Sequence, residues 1–363
     1  MMLDKKRAPV SVMLAAVLAV AAPFAGCGSD PSGDAPVETD AGHAKAQSDA
    51  GILATDNDSG GRPMEDAAAR VDGAKPADAA TPSGFGTVFT IVMENHDYKE
   101  IVGSSDAPFF NSLIASYGLA TNYNDSGTHP SLPNYLMMIS GATQYIGVID
   151  VEPTNALVGF PKDVPNLGTQ LQAAQLPWRS YSEDMGSPCT LASAGDYATK
   201  HVPFLYFTDI QTGTPGLCAK ANVDYGGLAS DLALGTYKYM WITPNLIHDG
   251  HDPVNLLGSA SDPVAALKAS DAWAQTEITK IMASPAYTNG GVIFLTWDEG
   301  AGRNGNSKDQ VPMIIISPKI VSPGFKSAKA YTHKSYLATV EDILKLPRLA
   351  TVANEASMME FFK

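Results

Sequence analysis

The chain has 363 residues, of which 45% are apolar and 17% are charged, as in folded globular proteins. This length allows about two domains at most. The net charge of -14 argues against a nucleic-acid partner and against broad electrostatic docking on anionic lipid, because both need clustered Lys and Arg. An acidic protein can still bind phosphate where a cation reverses the local field.

Residues 1–27 predict a lipoprotein-type signal peptide. Basic residues at positions 5–7 precede an apolar stretch, which is the pattern of a secretory signal. The stretch ends in the sequence FAGC, which resembles a bacterial lipobox with Cys27 as the lipidated residue. A membrane-spanning anchor is the alternative, since about 19 apolar residues nearly cross a bilayer. Both interpretations predict an exported protein. As a lipoprotein, it would be anchored to the bacterial cell envelope through lipidated Cys27 alone, at the outer membrane or cell surface rather than the inner membrane; a secreted protein is the other expectation.

Residues 28–83 contain no aromatic side chain and are rich in Ala, Gly, Ser, Pro and Asp. Such a stretch cannot bury enough apolar surface to fold, so we expect a disordered acidic linker. Residues 84–363 then form the folded domain, which is long enough for one sizeable core. The cysteines of this domain, Cys189 and Cys218, are expected to form a disulfide in an exported protein, with two buried thiols as the alternative.

The domain alternates short apolar runs with helical patterns, which favours an α/β fold with a mainly parallel sheet. In such sheets, ligands bind beyond the carboxyl ends of the strands. The predicted strands cover residues 87–93, 179–182, 238–242, 291–297 and 311–317, and the predicted helices cover 107–117, 134–140, 166–174, 264–283 and 333–346.

Two of these strands end directly in possible metal ligands. The first strand is followed by Glu94 and Asn95, and the strand over 291–297 is followed by Asp298 and Glu299. Oxygen ligands that two buried strands deliver to one sheet edge build a site for a hard divalent cation. Each pair taken alone also fits a polar strand cap or a turn.

A hydroxyl group lies between these strands in the sequence, within THPSLPNY over residues 128–135. Two prolines flank Ser131 and fix the turn before a helix, so its hydroxyl lies near the positive end of the helix dipole, which favours an alkoxide or a phosphate. A simple N-cap is the alternative for Ser131. That alternative leaves His129 and Asn134 unexplained, and both can donate hydrogen bonds to an oxyanion.

The histidines of the domain concentrate around these motifs. The sequence HDGHD at 248–252 follows a predicted strand, with a solvated loop as the alternative, and His333 stands at the start of the last predicted helix. His201, by contrast, has no evident link to the motifs. This concentration indicates one shared site.

In this order the motifs resemble those of the phosphoesterase family, which comprises bacterial and fungal acid phosphatases and phospholipases C of the alkaline phosphatase superfamily. The likeness spans nearly all of the folded domain, which it implies is the catalytic domain. It implies an α/β fold that is a three-layer α/β/α sandwich with a mainly parallel sheet, and it implies that Ser131 is the nucleophile. The implied ligands of a divalent metal ion are Glu94, Asn95, Asp298, Glu299 and the oxygen of Ser131.

The resemblance gives the other motif residues roles as phosphate clamps, proton donors or additional ligands. These residues are His129, Asn134, Asp249, His251 and His333, with His251 as the donor to the departing oxygen. Two-zinc relatives have Asp-His where this chain has Asp298-Glu299. This departure implies an oxygen-rich site for one or two ions of Ca, Mg, Mn or Zn.

We therefore predict a metal-dependent hydrolase of small phosphate esters, in the first place an acid phosphatase-type phosphomonoesterase that forms a phosphoserine on Ser131. Phospholipase C or phosphodiesterase activity is the nearest alternative. The non-enzymatic alternative is an inactive surface lipoprotein that binds phosphorylated ligands, because fold does not imply activity. A sulfatase is disfavoured, since Tyr135 stands where the sulfatase motif has arginine.

Overall fold

The computed structural model describes the protein in four stretches of chain. The predicted signal peptide and the predicted linker, residues 1–27 and 28–83, lie outside the described residues. Of the helices within the described stretches, none combines the length and the apolar character needed to cross a bilayer. The described stretches are 84–144, 150–251, 262–301 and 309–363.

The strands form one large sheet and one small one. Within the described residues they are β1 (Val88–Met93), β2 (Gly118–Ala120), β3 (Tyr123–Asn124), β4 (Trp178–Ser182), β5 (Asn222–Asp224), β6 (Tyr239–Thr243), β7 (Val292–Trp297), β8 (Met313–Ile316), β9 (Phe325–Ser327) and β10 (Tyr331–Thr332). The large sheet has the order β5-β4-β6-β1-β7-β8-β2-β9, and β3 pairs with β10. β8 runs antiparallel to β7 and β2, whereas the other ladders of the large sheet are parallel. The predicted mainly parallel sheet is confirmed.

Helices cover both faces of the large sheet. They are α1 (Tyr98–Ile101), α2 (Pro108–Ser116), α3 (Leu132–Ser140), α4 (Leu167–Ala173), α5 (Leu217–Ala221), α6 (Leu228–Leu234), α7 (Pro263–Ala283), α8 (Pro285–Thr288) and α9 (His333–Leu344). One group that packs together contains α3, α4 and α9, and another contains α2, α7 and α8. Every residue of β1 and β7 is buried, as expected for strands between two helical layers. The predicted α/β/α sandwich is confirmed.

The core is centred on β1 and its two neighbours. Thr90 in β1 lies opposite Trp241 in β6 and Phe294 in β7, so the middle of the sheet is packed with large side chains. The hydroxyl of Thr90 is satisfied by the hydroxyl of Tyr336 on α9, at 2.5 Å. A buried polar group needs such a partner, and this one joins the sheet to a helix.

All five predicted strands and all five predicted helices exist, with bounds that differ by one or two residues. The strands that the sequence did not reveal are short, at two or three residues each. The predicted disulfide is also confirmed: Cys189 and Cys218 are bonded, with their Cα atoms 5.4 Å apart. The sequence patterns therefore place the carboxyl edge of the sheet correctly.

Candidate active site

Glu94 is the centre of the site. It follows the last residue of β1 and is fully buried, and its backbone N–H donates to the carbonyl of Asp249 at 2.8 Å. Its Oε2 accepts a hydrogen bond from the Ser131 hydroxyl at 2.9 Å, and its Oε1 lies 3.0 Å from Nε2 of His201. A buried carboxylate needs such partners because an unpaired charge is costly to remove from water. β1 therefore delivers an acceptor to the predicted nucleophile.

The Ser131 side chain does not cap the helix that it precedes. α3 begins at Leu132, and no backbone N–H of its first turn donates to the Ser131 hydroxyl. Asp150 serves that helix end instead, because its Oδ1 accepts from the N–H of Leu132 at 3.0 Å. The N-cap alternative for Ser131 is therefore wrong. Its hydroxyl faces Glu94 near the positive end of α3, where negative charge is stabilised.

Two histidines and an aspartate surround this pair. We name the group of Glu94, Ser131, His201, Asp249 and His251 the Glu94 cluster. Nδ1 of His201 lies 4.0 Å from Oδ2 of Asp249, and Nδ1 of His251 lies 3.7 Å from Oε2 of Glu94. Ligand atoms of Glu94, His201 and Asp249 lie within 4.8 Å of one another, close enough to share a metal ion.

The expectation that His201 is unconnected to the motifs is wrong. His201 ends the short turn Thr199–His201, is buried, and stacks on Tyr135 of α3 with ring centroids 5.1 Å apart. Its contact with Glu94 joins residues more than a hundred positions apart, so no local pattern could reveal it. His251, in contrast, has a side chain that is 38% exposed, which leaves it accessible to a substrate.

Asn95 and Asp298 lie beside the Glu94 cluster. The N–H of Asn95 donates to Oδ1 of Asp298 at 3.4 Å, and its Nδ2 lies 3.1 Å from Nε2 of His251. Asn95 has a left-handed backbone with a φ of 45°, which asparagine tolerates better than most residues. His333 is fully buried, with its Nε2 2.5 Å from the carbonyl oxygen of Asp298 and its Nδ1 2.9 Å from the Tyr123 hydroxyl. His333 therefore holds the main chain of a predicted metal ligand.

Glu299 belongs to a second group. We name Glu299, His129, Asn134, Asp125 and Asp309 the Glu299 cluster. Oε2 of Glu299 accepts from Nδ2 of Asn134 at 2.9 Å and lies 2.9 Å from Nδ1 of His129. The hydrogen bond to Glu299 raises the pKa of His129 to about 9, although burial opposes the shift. His129 and Asn134, expected to contact an oxyanion, thus orient a carboxylate in this structure.

The other ring nitrogen of His129 faces two more carboxylates. Its Nε2 lies 3.9 Å from Oδ2 of Asp125 and 3.8 Å from Oδ2 of Asp309, and the three ligand atoms are close enough for one metal ion. Gly300 is required here, because a Cβ atom at that position would lie 2.5 Å from the Cβ of Asp309. Neither Asp125 nor Asp309 is among the site residues that the sequence predicted. The sequence feature that could have indicated Asp125 as a site residue is its position six residues before Ser131.

Two buried carboxyl groups of the site, those of Glu94 and Asp298, have pKa values that are shifted in opposite directions. Burial alone would raise the pKa of Glu94, but His201 and Lys200 outweigh it and hold this pKa well below its usual range. Burial and the negative charge of Glu94 raise the pKa of Asp298 well above its usual range. When two carboxyl groups lie close together in a low dielectric, their pKa values move apart in this way, because both cannot easily be charged at once. Added positive charge at this site would therefore be electrostatically favourable.

The donor set fits a divalent cation. Oδ2 of Asp298 and Oδ1 of Asn95 are buried and have no hydrogen-bond partner among the described residues. Together with the oxygens of Glu94 and Ser131 they form the oxygen-rich surroundings that hard cations prefer. A positive ion would also relieve the repulsion between the carboxyl groups of Glu94 and Asp298.

The structure thus brings all ten predicted site residues to the carboxyl edge of the sheet, in or directly beside the two clusters. β1, β6 and β7 run in the same direction, so the residues that follow them meet at one edge. β8 runs the opposite way, so the chain just before it, including Asp309, returns to the same edge. Proximity alone does not assign each residue its role.

The fold is similar to that of a solved member of the alkaline phosphatase superfamily. A solved structure of a superfamily member from Vibrio parahaemolyticus matches with a TM-score of 0.52 at 13% identity, covering 75% of this chain and 70% of that chain. At this identity the match shows the fold alone.

The family is established by sequence. The profile of the phosphoesterase family matches residues 104–347, so the chain belongs to that family and is a phosphoric ester hydrolase. It is 31% identical over 282 residues to the phosphatidylinositol-3-phosphatase of Mycobacterium tuberculosis, covering 77% of this chain and 83% of that protein. It is 25% identical over 308 residues to a probable acid phosphatase of Kluyveromyces lactis, covering 82% of this chain and 67% of that protein. The resemblance drawn from the motifs is confirmed.

Proposed function

We propose that this protein is a metal-dependent phosphomonoesterase of the acid phosphatase type and that Ser131 is its nucleophile. The observation that carries the proposal is the hydrogen bond of 2.9 Å from the Ser131 hydroxyl to Glu94. The hydroxyl serves no cap, so its placement among carboxylates and histidines at the start of α3 calls for another explanation. The names of the relatives, which are phosphatases, support a monoester substrate.

Glu94, Asn95, Asp298 and the Ser131 hydroxyl are the residues that would hold the cation. Glu299, predicted as a further ligand, lies in the Glu299 cluster, where its Oε2 contacts Asn134 and His129. Such an ion lowers the pKa of a hydroxyl group and neutralises charge on a phosphoryl group. The buried, unpartnered oxygens of Asn95 and Asp298 support this assignment. His333 would keep the Asp298 main chain in place through its contact with the carbonyl oxygen.

The chain's own residues then account for phosphoryl transfer. Glu94 orients the Ser131 oxygen, and His201 fixes Glu94 from the opposite side. The Ser131 hydroxyl passes its proton to Oε2 of Glu94, and its oxygen bonds to phosphorus as the bond to the departing alcohol oxygen breaks. His251, which is accessible and lies beside Glu94 and Asn95, donates a proton to that oxygen. Water then attacks the phosphoserine and returns a proton to His251. The bond between phosphorus and the Ser131 oxygen breaks, Glu94 returns the proton to that oxygen, and inorganic phosphate is released.

Phospholipase C or diesterase activity is the enzymatic alternative, and an inactive phosphate-binding surface protein is the other. The acid phosphatase and phosphatidylinositol-3-phosphatase names of the relatives favour a monoester over a diester. The presence of a nucleophile, a proton donor and oxygen ligands in one place argues against an inactive protein.

The test is hydrolysis of p-nitrophenyl phosphate by the full-length protein, with chelator and after adding back Ca, Mg, Mn or Zn ions. We expect activity that the chelator removes and one of the ions restores. Ser131→Ala should lower kcat by about 10⁴-fold or more, whereas Ser230→Ala, at an exposed serine on α6, should leave it unchanged. Trapped phosphate on a peptide covering 128–135 would identify the nucleophile. Phosphate trapped on another residue, or full activity of Ser131→Ala, would refute the assignment of Ser131 as the nucleophile.

We further propose that the protein is exported and that lipidation of Cys27 anchors it to the cell envelope. The Cys189–Cys218 disulfide supports export, because disulfides persist in oxidising compartments. In a bacterial host, the protein should partition with the membrane fraction, and Cys27→Ala should release it. A Cys27→Ala protein that stays with the membranes would instead favour a spanning anchor.

A further inference from the structure

Lys200 directly precedes His201 of the Glu94 cluster but has no role in the chemistry described so far. Its Nζ forms an ion pair with Oδ2 of Asp150 at 3.1 Å. The other oxygen of Asp150 accepts from the N–H of Leu132, the residue directly after Ser131. The ammonium group is therefore two polar contacts away from the start of α3. It remains partly accessible, because 22% of the Lys200 side chain is exposed.

The site needs a fixed positive charge on this side. Glu94, Asp249 and Asp298 are buried carboxyl groups that oppose the approach of a phosphate dianion. Burial alone would lower the pKa of Lys200, but Glu94 and Asp150 outweigh it and raise this pKa, so the ammonium stays charged. In return, the charge of Lys200 acts to lower the pKa of both Glu94 and Asp298. Lys200 thus stands within electrostatic reach of the reacting centre.

A purely structural role for Lys200 is less satisfactory. Such a role would tie the segment around Asp150 to the turn Thr199–His201. Other bonds already join these parts of the chain: the Thr199 hydroxyl donates to Oε2 of Glu152 at 2.5 Å, and the Tyr206 hydroxyl donates to the carbonyl of Val151 at 2.7 Å. The Lys200 ion pair is therefore one of several bonds that join these segments.

We infer that Lys200 is a substrate-binding residue whose ammonium binds a non-bridging oxygen of the phosphoryl group. The inference rests on the proposed phosphatase function and deepens it. A lysine presents a compact point charge, which attracts the two charges of a phosphate monoester more strongly than the single charge of a diester. Lys200 would then favour monoesters over diesters. Asp150 holds the ammonium in place until substrate arrives.

The experiment compares full-length wild type, Lys200→Met and Lys200→Arg, each supplied with the divalent ion that supports activity. Lys162→Met is the matched control, because the Lys162 ammonium donates to the carbonyl of Val158 and lies in neither cluster. For Lys200→Met we expect a loss of about 10–100-fold in kcat/KM for p-nitrophenyl phosphate, the range for a hydrogen bond between charged groups. Inorganic phosphate should inhibit it about 10-fold less tightly, and Lys200→Arg should restore most of both losses.

The ratio of kcat/KM for p-nitrophenyl phosphate to that for bis-p-nitrophenyl phosphate should also fall in Lys200→Met. Unchanged phosphate inhibition, or equal losses on both substrates, would overturn the inference. Thermal unfolding shows whether each variant is folded. If Lys200→Met is unstable, Lys200→Arg provides the test. Failure of Lys200→Arg to bind phosphate about as tightly as the wild type would also overturn the inference. Failure of the proposed function has a different signature: the wild type would hydrolyse no ester, while calorimetric titration with inorganic phosphate would still report whether Lys200 binds it.

Discussion

The Glu94 cluster and the Glu299 cluster use the same residue types but differ in how their charges are balanced. In the Glu94 cluster, a carboxylate with a lowered pKa accepts from a serine hydroxyl and meets two histidines. In the Glu299 cluster, His129 has a raised pKa and lies among three carboxylates. The first arrangement holds a hydroxyl group against a carboxylate, whereas the second places one imidazole among three acidic side chains. The residue types alone therefore do not distinguish the Glu94 cluster from the Glu299 cluster, whereas the pattern of contacts does.

Replacing the central carboxylate of each cluster should produce the largest difference in activity between the two clusters. We expect Glu94→Gln to lower kcat for p-nitrophenyl phosphate by about 10³-fold and to weaken metal binding, because Glu94 contacts the nucleophile directly. Glu299→Gln should lower kcat by about 10²-fold at most, since Glu299 contacts Asn134 and His129 instead. Steady-state kinetics and calorimetric metal titration measure both. Equal losses would show that the two clusters act as one.

The histidines provide the next contrast. His201→Gln should cost about 10²-fold in kcat/KM, because it removes the partner of Glu94 at 3.0 Å. His129→Gln should cost about 10-fold, because Asn134 still holds Glu299. The comparison requires that both variants unfold at temperatures close to that of the wild type. A larger loss for His129→Gln would reverse the assignment of the two clusters.

Gly300→Ala perturbs the Glu299 cluster through packing rather than charge. The new Cβ would meet Asp309 and Asp97 at 2.5 Å, so the surrounding chain must move. We expect a loss of about 1–3 kcal/mol in the free energy of unfolding. Gly227→Ala is the control, because nothing lies within 4 Å of its added Cβ. Urea unfolding that gives equal midpoints for the two variants would contradict this prediction.

An ion pair outside both clusters should affect stability and not chemistry. Nδ1 of His248 lies 2.8 Å from Oε2 of Glu183. The hydrogen bond to Glu183 raises the pKa of His248. Burial alone would raise the pKa of Glu183, but its hydrogen bonds, His248 first among them, lower it. The stabilisation by His248 is fully present below its ordinary pKa of about 6.5 and is lost as pH rises through the raised value. The stabilisation by Glu183 is present above about pH 4.5 and is lost as pH falls through the lowered value.

The free energy of unfolding of His248→Gln should therefore fall below that of the wild type by less than about 1 kcal/mol, most clearly between about pH 4.5 and 6.5. Urea unfolding near pH 5.5 and near pH 8.5, about one unit and two units from the ordinary histidine pKa, measures the difference. A difference that grows with pH would contradict the assigned direction. Activity toward p-nitrophenyl phosphate should be unchanged at either pH.

The fold and most of the site residues could be predicted because local patterns encode them. β1 and β7 are continuous apolar runs, and each ends directly in its polar residues, so Glu94 and Asp298 were visible together with the edge at which they meet. Ser131 was visible because two prolines and a helix signal surround it. Periodicity and turn chemistry act over a few residues, which is the range that sequence patterns report.

The rest of the site depends on contacts that no local pattern carries. His201 and Lys200 come from a short turn followed by apolar residues, and they reach the site only because that turn packs against α3. Asp309 reaches it because β8 runs antiparallel, a direction that the composition of the strand does not reveal. The partner of Asn134 was also hidden, since a side-chain amide can serve an oxyanion or a carboxylate equally well.

The contact between His333 and the carbonyl of Asp298 sets a condition on when the enzyme can work. One partner follows β7 and the other opens α9, near the end of the chain, while Glu94 stands close to the beginning of the domain. Both partners must be synthesised before this contact can form, so the chain must be made at least through α9. Turnover by the proposed enzyme would therefore begin only after β1, the segment that follows β7, and α9 have folded together.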